Sequence, residues 1–172
     1  MKRVAELLER VRQTSSSNAK KDILEKVKDD ETLKKVLYYC MNPYMMYGLS
    51  NKTLDKLKPD VVSNNANEQN VFDFLDVLSK SNINDALRKQ AKTLLESIED
   101  EQVRDMVQKI MVKDLKIGCN VTTVNKVFGK NFIPSFEVQL AESYAKQKPG
   151  FLNNKEVWIT TKLDGFRIVY DP

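Results

Sequence analysis

Through residues 1–130, apolar side chains recur three and four positions apart. Val4, Leu7, Leu8 and Val11 keep that spacing, as do Ile23, Leu24 and Val27, then Leu33, Val36 and Leu37. The pattern strengthens at Val71, Phe72, Phe74, Leu75 and Leu78. It continues at Ile83, Leu87, Ala91, Leu94, Leu95 and Ile98, and again at Val103, Met106, Val107 and Ile110. A period near 3.6 lines the apolar residues along one face of a helix, whereas a half-buried strand needs strict alternation. The breaks are also legible, at "TSSSN" (14–18), "NPYMMYGLSN" (42–51), "KPD" (58–60) and "IGCN" (117–120). These features predict an all-helical domain over residues 1–131 with a mostly aliphatic interior. Tyr38, Tyr39, Tyr44 and Tyr47 are expected to act as core or loop anchors, and "VVSNNANEQN" at 61–70 is the stretch with the least pattern.

After Gly129 the character changes. Residues 132–155 hold two prolines and a Lys-Pro-Gly and read as a connector. Then "EVWITTKL" and "FRIVY", rich in β-branched and aromatic residues, flank Asp164-Gly165. Asp-Gly between two such runs is a strong hairpin signal, because both turn positions need positive φ. Residues 156–172 are therefore expected to form one β-hairpin, with Trp158, Phe166 and Tyr170 packing against a sheet. A lone two-stranded hairpin is marginal in water, so the expectation is a fragment cut inside its second domain.

The length of 172 residues suits one domain, or one domain plus part of another. There is no histidine, and Cys40 and Cys119 form no metal or redox spacing. That excludes histidine catalysis and histidine metal sites, and favours a reducing cytosol. No apolar run reaches the roughly 20 residues that span a bilayer, and "MKRVAELLERVRQ" is not a secretory signal.

The net charge of +4 is unevenly spread. Residues 60–108 carry 10 acids against 5 bases, while residues 109–130 carry 5 lysines against 1 acid, an excess of 5 − 1 = 4 that equals the whole chain's. A basic stretch of this kind is either a footprint for a polyanion or a solvated lysine surface.

Lys162 and Arg167 stand two residues either side of the Asp164-Gly165 turn. Neighbouring cations and desolvation lower a lysine's pKa, which suits a nucleophile, and paired cations also hold phosphate. An ordinary basic surface hairpin would look the same.

"KLDGFR" resembles the K-x-D-G-x-R element of covalent nucleotidyltransferases, a group that includes ATP-dependent DNA ligases, RNA ligases and capping enzymes. The stretch "MVKDLKIGCNVTTVNKVFGKNFIPSF" resembles the DNA-binding domain that precedes this element in phage, viral and eukaryotic ATP-dependent DNA ligases. "TSSSNAKKDILEKVKDDETLKKVL" is similar to the first helical pair of phage-type enzymes. Capping enzymes and RNA ligases lack such a helical domain in front. The resemblance implies a mainly α chain: a helical DNA-binding domain followed by the start of an adenylation domain. It implies that Lys162 is the catalytic nucleophile toward ATP, forming a lysine–AMP phosphoramidate. AMP then passes to the 5′-phosphate of a nick, and the 3′-hydroxyl displaces it. Asp164 and Gly165 would shape the loop and Arg167 would contact nucleotide or phosphate. Thr160 stands where many members carry a glutamate, which alters how the adenine is read. Mg2+ is implied for the intact enzyme, and its carboxylate ligands are expected downstream of this chain.

Sequence-independent binding should come from phosphate contacts, and helix N-termini favour anions. Two clusters fit. Ser15, Ser16 and Ser17 precede a helix whose first turn carries Lys20 and Lys21. Gly118, Asn120, Thr122 and Thr123 open another, flanked by Lys116 and Lys126. Plain N-capping explains the same small polar residues. The expected partner is nicked double-stranded DNA, bound by a monomer in the cytoplasm of a bacterial host cell, with phage, prophage and cellular origins all open. These 172 residues alone are expected not to ligate. Two other readings stay open: a non-catalytic helical DNA-binding or interaction module, and an RNA ligase or capping-type enzyme.

Overall fold

Side-chain caps set where the helices after the first begin. In a computed structural model of the chain, residues 1–60 and 67–135 are described, together with 146, 148–150, 152–153 and 156. The chain divides into two compact units, Met1–Phe136 and Glu137–Pro172. Among the described residues the first unit holds helices α1 (Lys2–Gln13), α2 (Ser17–Glu25), α3 (Glu31–Met41), α4 (Asn51–Lys56), α5 (Glu68–Lys80), α6 (Asp85–Glu96), α7 (Glu101–Met111) and α8 (Val121–Phe128). Asp30 accepts from the Leu33 N–H at 3.1 Å, Asn84 from Leu87 at 2.9 Å and Asn120 from Thr123 at 2.8 Å. Each bond satisfies one of the N–H groups that a helix start leaves without an intrahelical partner.

Helix α7 is the hub, packing against α1, α3 and α6. It buries Val103, Met106, Val107, Ile110 and Met111, a stripe at helical spacing, and each such side chain gains about 1.5–3 kcal/mol from leaving water. Helix α6 in turn carries α4 and α5, while α2 bridges α1 and α8. The core is aliphatic as expected, from Val4, Leu8 and Val11 through Leu33, Leu37, Leu75 and Leu95 to Val124. It extends beyond α8 to Ile133, which is fully buried and pinned by Asn125. That side chain accepts from the Ile133 N–H at 2.8 Å and donates to the Ile133 carbonyl at 2.9 Å. This is why the first unit runs past residue 131.

The loop between α3 and α4 is anchored by Tyr47, 1% exposed, whose hydroxyl donates to the Tyr39 carbonyl at 2.8 Å. Gly48 follows with φ +60°, and a Cβ there would lie 2.8 Å from Ile83 Cγ2, so both conformation and space demand glycine. Tyr39 stacks obliquely on Phe72 at 5.0 Å and donates to Asp76 Oδ1 at 2.8 Å, tying α3 to α5. Tyr44, by contrast, is 57% exposed and anchors nothing with its ring. Helix α4, inside a region read only as a break and its aftermath, is too short for periodicity to declare it; Leu54 is its one buried residue. The expected hairpin at 156–172, with Trp158, Phe166 and Tyr170, lies outside the described residues apart from Glu156.

Burial, reinforced by the bond to Asp76, pushes the Tyr39 phenol up to about 12. An acid whose folded pKa is raised contributes stability that is complete below its unfolded value, near 10, and is lost as pH climbs through the folded value. The melting temperature is therefore expected to fall between about pH 10 and pH 12, and Tyr39→Phe should make that decline shallower. Thermal melts followed by circular dichroism across that range test it.

Candidate nucleic-acid interface

Helix α7 ends in a turn where glycine is usual. Lys113 sits at φ +63°, its N–H bonds to the Ile110 carbonyl at 3.0 Å, and the Asp114 N–H reaches back to the Lys109 carbonyl at 2.9 Å. These are the two bonds of a Schellman motif, which normally places glycine at this left-handed position. The lysine side chain accounts for the exception. Its ammonium donates to the carbonyls of Asn42 at 2.6 Å and Tyr39 at 3.0 Å, closing the C-terminus of α3, and lies 5.3 Å from the Tyr47 ring centre. Burial lowers the pKa of this ammonium.

From Asp114 to Asn120 the chain is not helical, and its residues alternate: Leu115 and Ile117 are buried, Lys116 and Gly118 exposed. Two cations from other helices hold its carbonyls. Arg12 of α1 donates to Leu115 at 3.3 Å, and Lys20 of α2 donates to Ile117 at 2.7 Å. Asn120 then caps α8, accepting from both the N–H and the hydroxyl of Thr123 at 2.8 Å.

The two clusters singled out in the sequence thus become neighbours. Helix α2 packs on α8, and the first turn of α2 touches the approach to α8 through Lys20. On the α2 side, Ser15 and Ser17 are exposed, and Ser16 is the N-cap, accepting from the Ala19 N–H at 3.4 Å. Lys21 is half-buried. On the α8 side, Lys116, Gly118, Asn120, Thr122 and Lys126 are exposed and Thr123 is half-buried. Lys116, Lys126 and the nearby exposed Lys130 form no ion pair among the described residues, so their charge is uncompensated by contact.

Lys20 departs from its expected surface position. It is 9% exposed, and its ammonium points inward to the Ile117 carbonyl. The signal was present in the sequence: Lys20 stands four residues before buried Leu24, on the apolar face of α2. Lys21, one residue on, is turned by about 100° and faces elsewhere. Arg12 and Lys113 carried no such mark, since each acts on backbone far away in sequence.

Beside this segment lies a cleft of about 540 Å3 lined by Cys40, Met41, Val121 and residues 113–119. Burial raises the pKa of both its thiols, Cys40 to about 11, with Lys20 partly opposing the rise at Cys119. A cysteine nucleophile needs the reverse shift, so the cleft is not a thiolate site. No group of three or more metal-ligating side chains occurs among the described residues, nor is any of their helices long and apolar enough to cross a membrane. Thr160, Lys162, Asp164, Gly165 and Arg167 lie outside the described residues.

No family model matches the chain. It is 25% identical over 147 residues to the DNA ligase of Enterobacteria phage T4, covering 82% of this chain and 29% of that protein. The DNA ligase of Enterobacteria phage T6 matches to the same extent. The N-terminal region of this chain is DNA ligase-like. The chain spans less than a third of the length of these relatives. A solved structure titled Pmar-Lig_PreS3 shares the fold, with a TM-score of 0.55 at 16% identity, covering 72% of this chain and 29% of that one. The matched stretch is long enough that it must include much of the helical unit: 147 residues exceed the 36 that lie beyond it, 172 − 136.

In this ligase-like unit, Lys113 is the residue whose loss isolates one local bond set. Lys113→Met keeps the left-handed strain and removes the charged donor from two carbonyls, leaving them the Tyr47 hydroxyl and the Met45 N–H alone, so it should destabilise the fold by about 1–3 kcal/mol. Lys113→Gly relieves the strain while losing the same bonds, and should cost less. Urea unfolding of the three proteins gives the order.

Proposed function

We propose that the helical unit is the DNA-holding module of an ATP-dependent DNA ligase and that it grips duplex DNA through phosphates, without reading bases. The observation that carries this reading is the meeting of α2 with the approach to α8. It gathers two helix starts and the exposed Lys116, with exposed Lys126 in the last turn of α8 and neither lysine ion-paired among the described residues, in a chain similar to phage DNA ligases over most of its length. Free N–H groups at helix starts and the positive end of the helix dipole favour anions, and lysines add charge that no base sequence alters. Ser15, Ser17 and Thr122 supply exposed hydroxyls beside them.

In the longer protein, Lys162 of "KLDGFR" is proposed as the nucleophile toward the α-phosphorus of ATP, with Thr160, Asp164, Gly165 and Arg167 in the nucleotide site and Mg2+ required. Nick sealing would take place there, and these 172 residues alone would bind DNA without joining it. A monomer in the cytoplasm of a bacterial host, serving DNA replication, repair or recombination, accords with this role.

Binding to nicked duplexes of several sequences, followed by fluorescence anisotropy over a salt series, tests the proposal. Affinity should be similar across sequences and fall as salt rises. Lys116→Ala and Lys126→Ala should each weaken binding uniformly and reduce the slope of log K against log salt by about 1. An affinity indifferent to salt would refute phosphate gripping. Preference for nicked RNA over nicked DNA would move the protein to an RNA ligase or capping-type role. Mass spectrometry of the longer protein with ATP should show an AMP adduct that Lys162→Ala abolishes; a chain that binds DNA but never forms the adduct is a non-catalytic module.

A further inference from the structure

Lys20 has an arrangement unlike the other lysines of the interface. Its side chain starts from the first turn of α2, runs beneath Gly118, and ends on the Ile117 carbonyl at 2.7 Å. Gly118 has φ +65°, and a Cβ there would stand 2.5 Å from the Lys20 ammonium nitrogen. No side chain could occupy that space while the ammonium keeps its place. The approach to α8 and the lysine are therefore fitted to each other: glycine at 118 leaves room for the ammonium, and the ammonium satisfies the carbonyl just before it.

We propose that Lys20 is a positioning residue of the interface: it fixes the 116–120 approach against α2, and so the placement of Lys116 and of the α8 N-terminus, without touching nucleic acid itself. This rests on the phosphate-gripping reading of the same surface. At 9% exposure and with its ammonium turned inward onto the backbone, Lys20 presents little charge to a phosphate on the surface. Its charge-assisted bond is instead of the strong kind that holds irregular backbone in one conformation.

Two measurements on the full chain test the inference, one with DNA and one without. In a salt series with nicked duplex, Lys20→Met should weaken binding about tenfold yet leave the salt slope at the parent value, whereas Lys116→Ala lowers the slope by about 1. A slope lowered by about 1 in Lys20→Met would make Lys20 a direct phosphate contact and overturn the proposal, as would unchanged affinity. Without DNA, amide hydrogen exchange in Lys20→Met should quicken at Cys119, Asn120 and Val121 while α5 and α6 stay protected. Unchanged exchange there overturns the positioning role. If the parent chain does not bind DNA at all, the phosphate-gripping reading fails, and the exchange result still decides whether Lys20 holds this segment. Should Lys20→Met fail to fold, Gly118→Asn keeps the charge and a residue that tolerates the left-handed backbone while displacing the ammonium; weakened binding at unchanged slope supports the proposal, and parent-like binding refutes it.

Discussion

The architecture depends on three long cations bonded to backbone carbonyls. Between α7 and α8 the chain crosses the surface without helical hydrogen bonds, and a segment of that kind must find partners elsewhere or stay in water. Arg12 and Lys20 reach it from α1 and α2, and Lys113 reaches out of it to the end of α3. Bonds from a charged donor are worth more than neutral ones, so three of them hold an irregular stretch that its own sequence would leave loose. The alternation of buried Leu115 and Ile117 with exposed Lys116 and Gly118 follows, because those inward residues have a fixed place to pack.

Much of the helical unit was legible before any coordinates. Aliphatic spacing located α1, α3, α5, α6 and α7, and small polar residues marked Ser16 and Asn120 as helix starts, because capping is local chemistry. Helix α4 was not legible, since six residues with a single buried leucine show no period. The left-handed lysines were hidden too: Lys113 and Lys116 adopt φ +63° and +53°, positions that composition would assign to glycine. What settles Lys113 there is the end of α3, which lies more than seventy residues away, at a separation of 71 for the Asn42 bond.

The candidate interface divides in the same way. Which residue types gather near a helix start could be read directly, and Lys116 and Lys126 are exposed as that reading needs. Which of two adjacent lysines turns inward could not be read from charge, because Lys20 and Lys21 are chemically identical until α8 packs on one side of α2. Apolar periodicity would have separated them, had Lys20 been counted with Leu24 as part of the buried face of α2. Long basic side chains often cover apolar surface with their methylenes, so a lysine on such a face is not an anomaly.

The bond between Lys20 and Ile117 joins residues 97 apart, and that between Arg12 and Leu115 spans 103. Helices such as α3, α5 and α6 need only near neighbours in sequence to form, but this surface needs the first and last parts of the unit to meet. The chain must close a loop of about a hundred residues, whose entropic cost, though it grows only slowly with length, is met before any contact there is made. During synthesis from the N-terminus, α2 waits for α8 to leave the ribosome. The surface comes into being only when the unit's last helix arrives, so no shorter N-terminal piece of the chain can carry it.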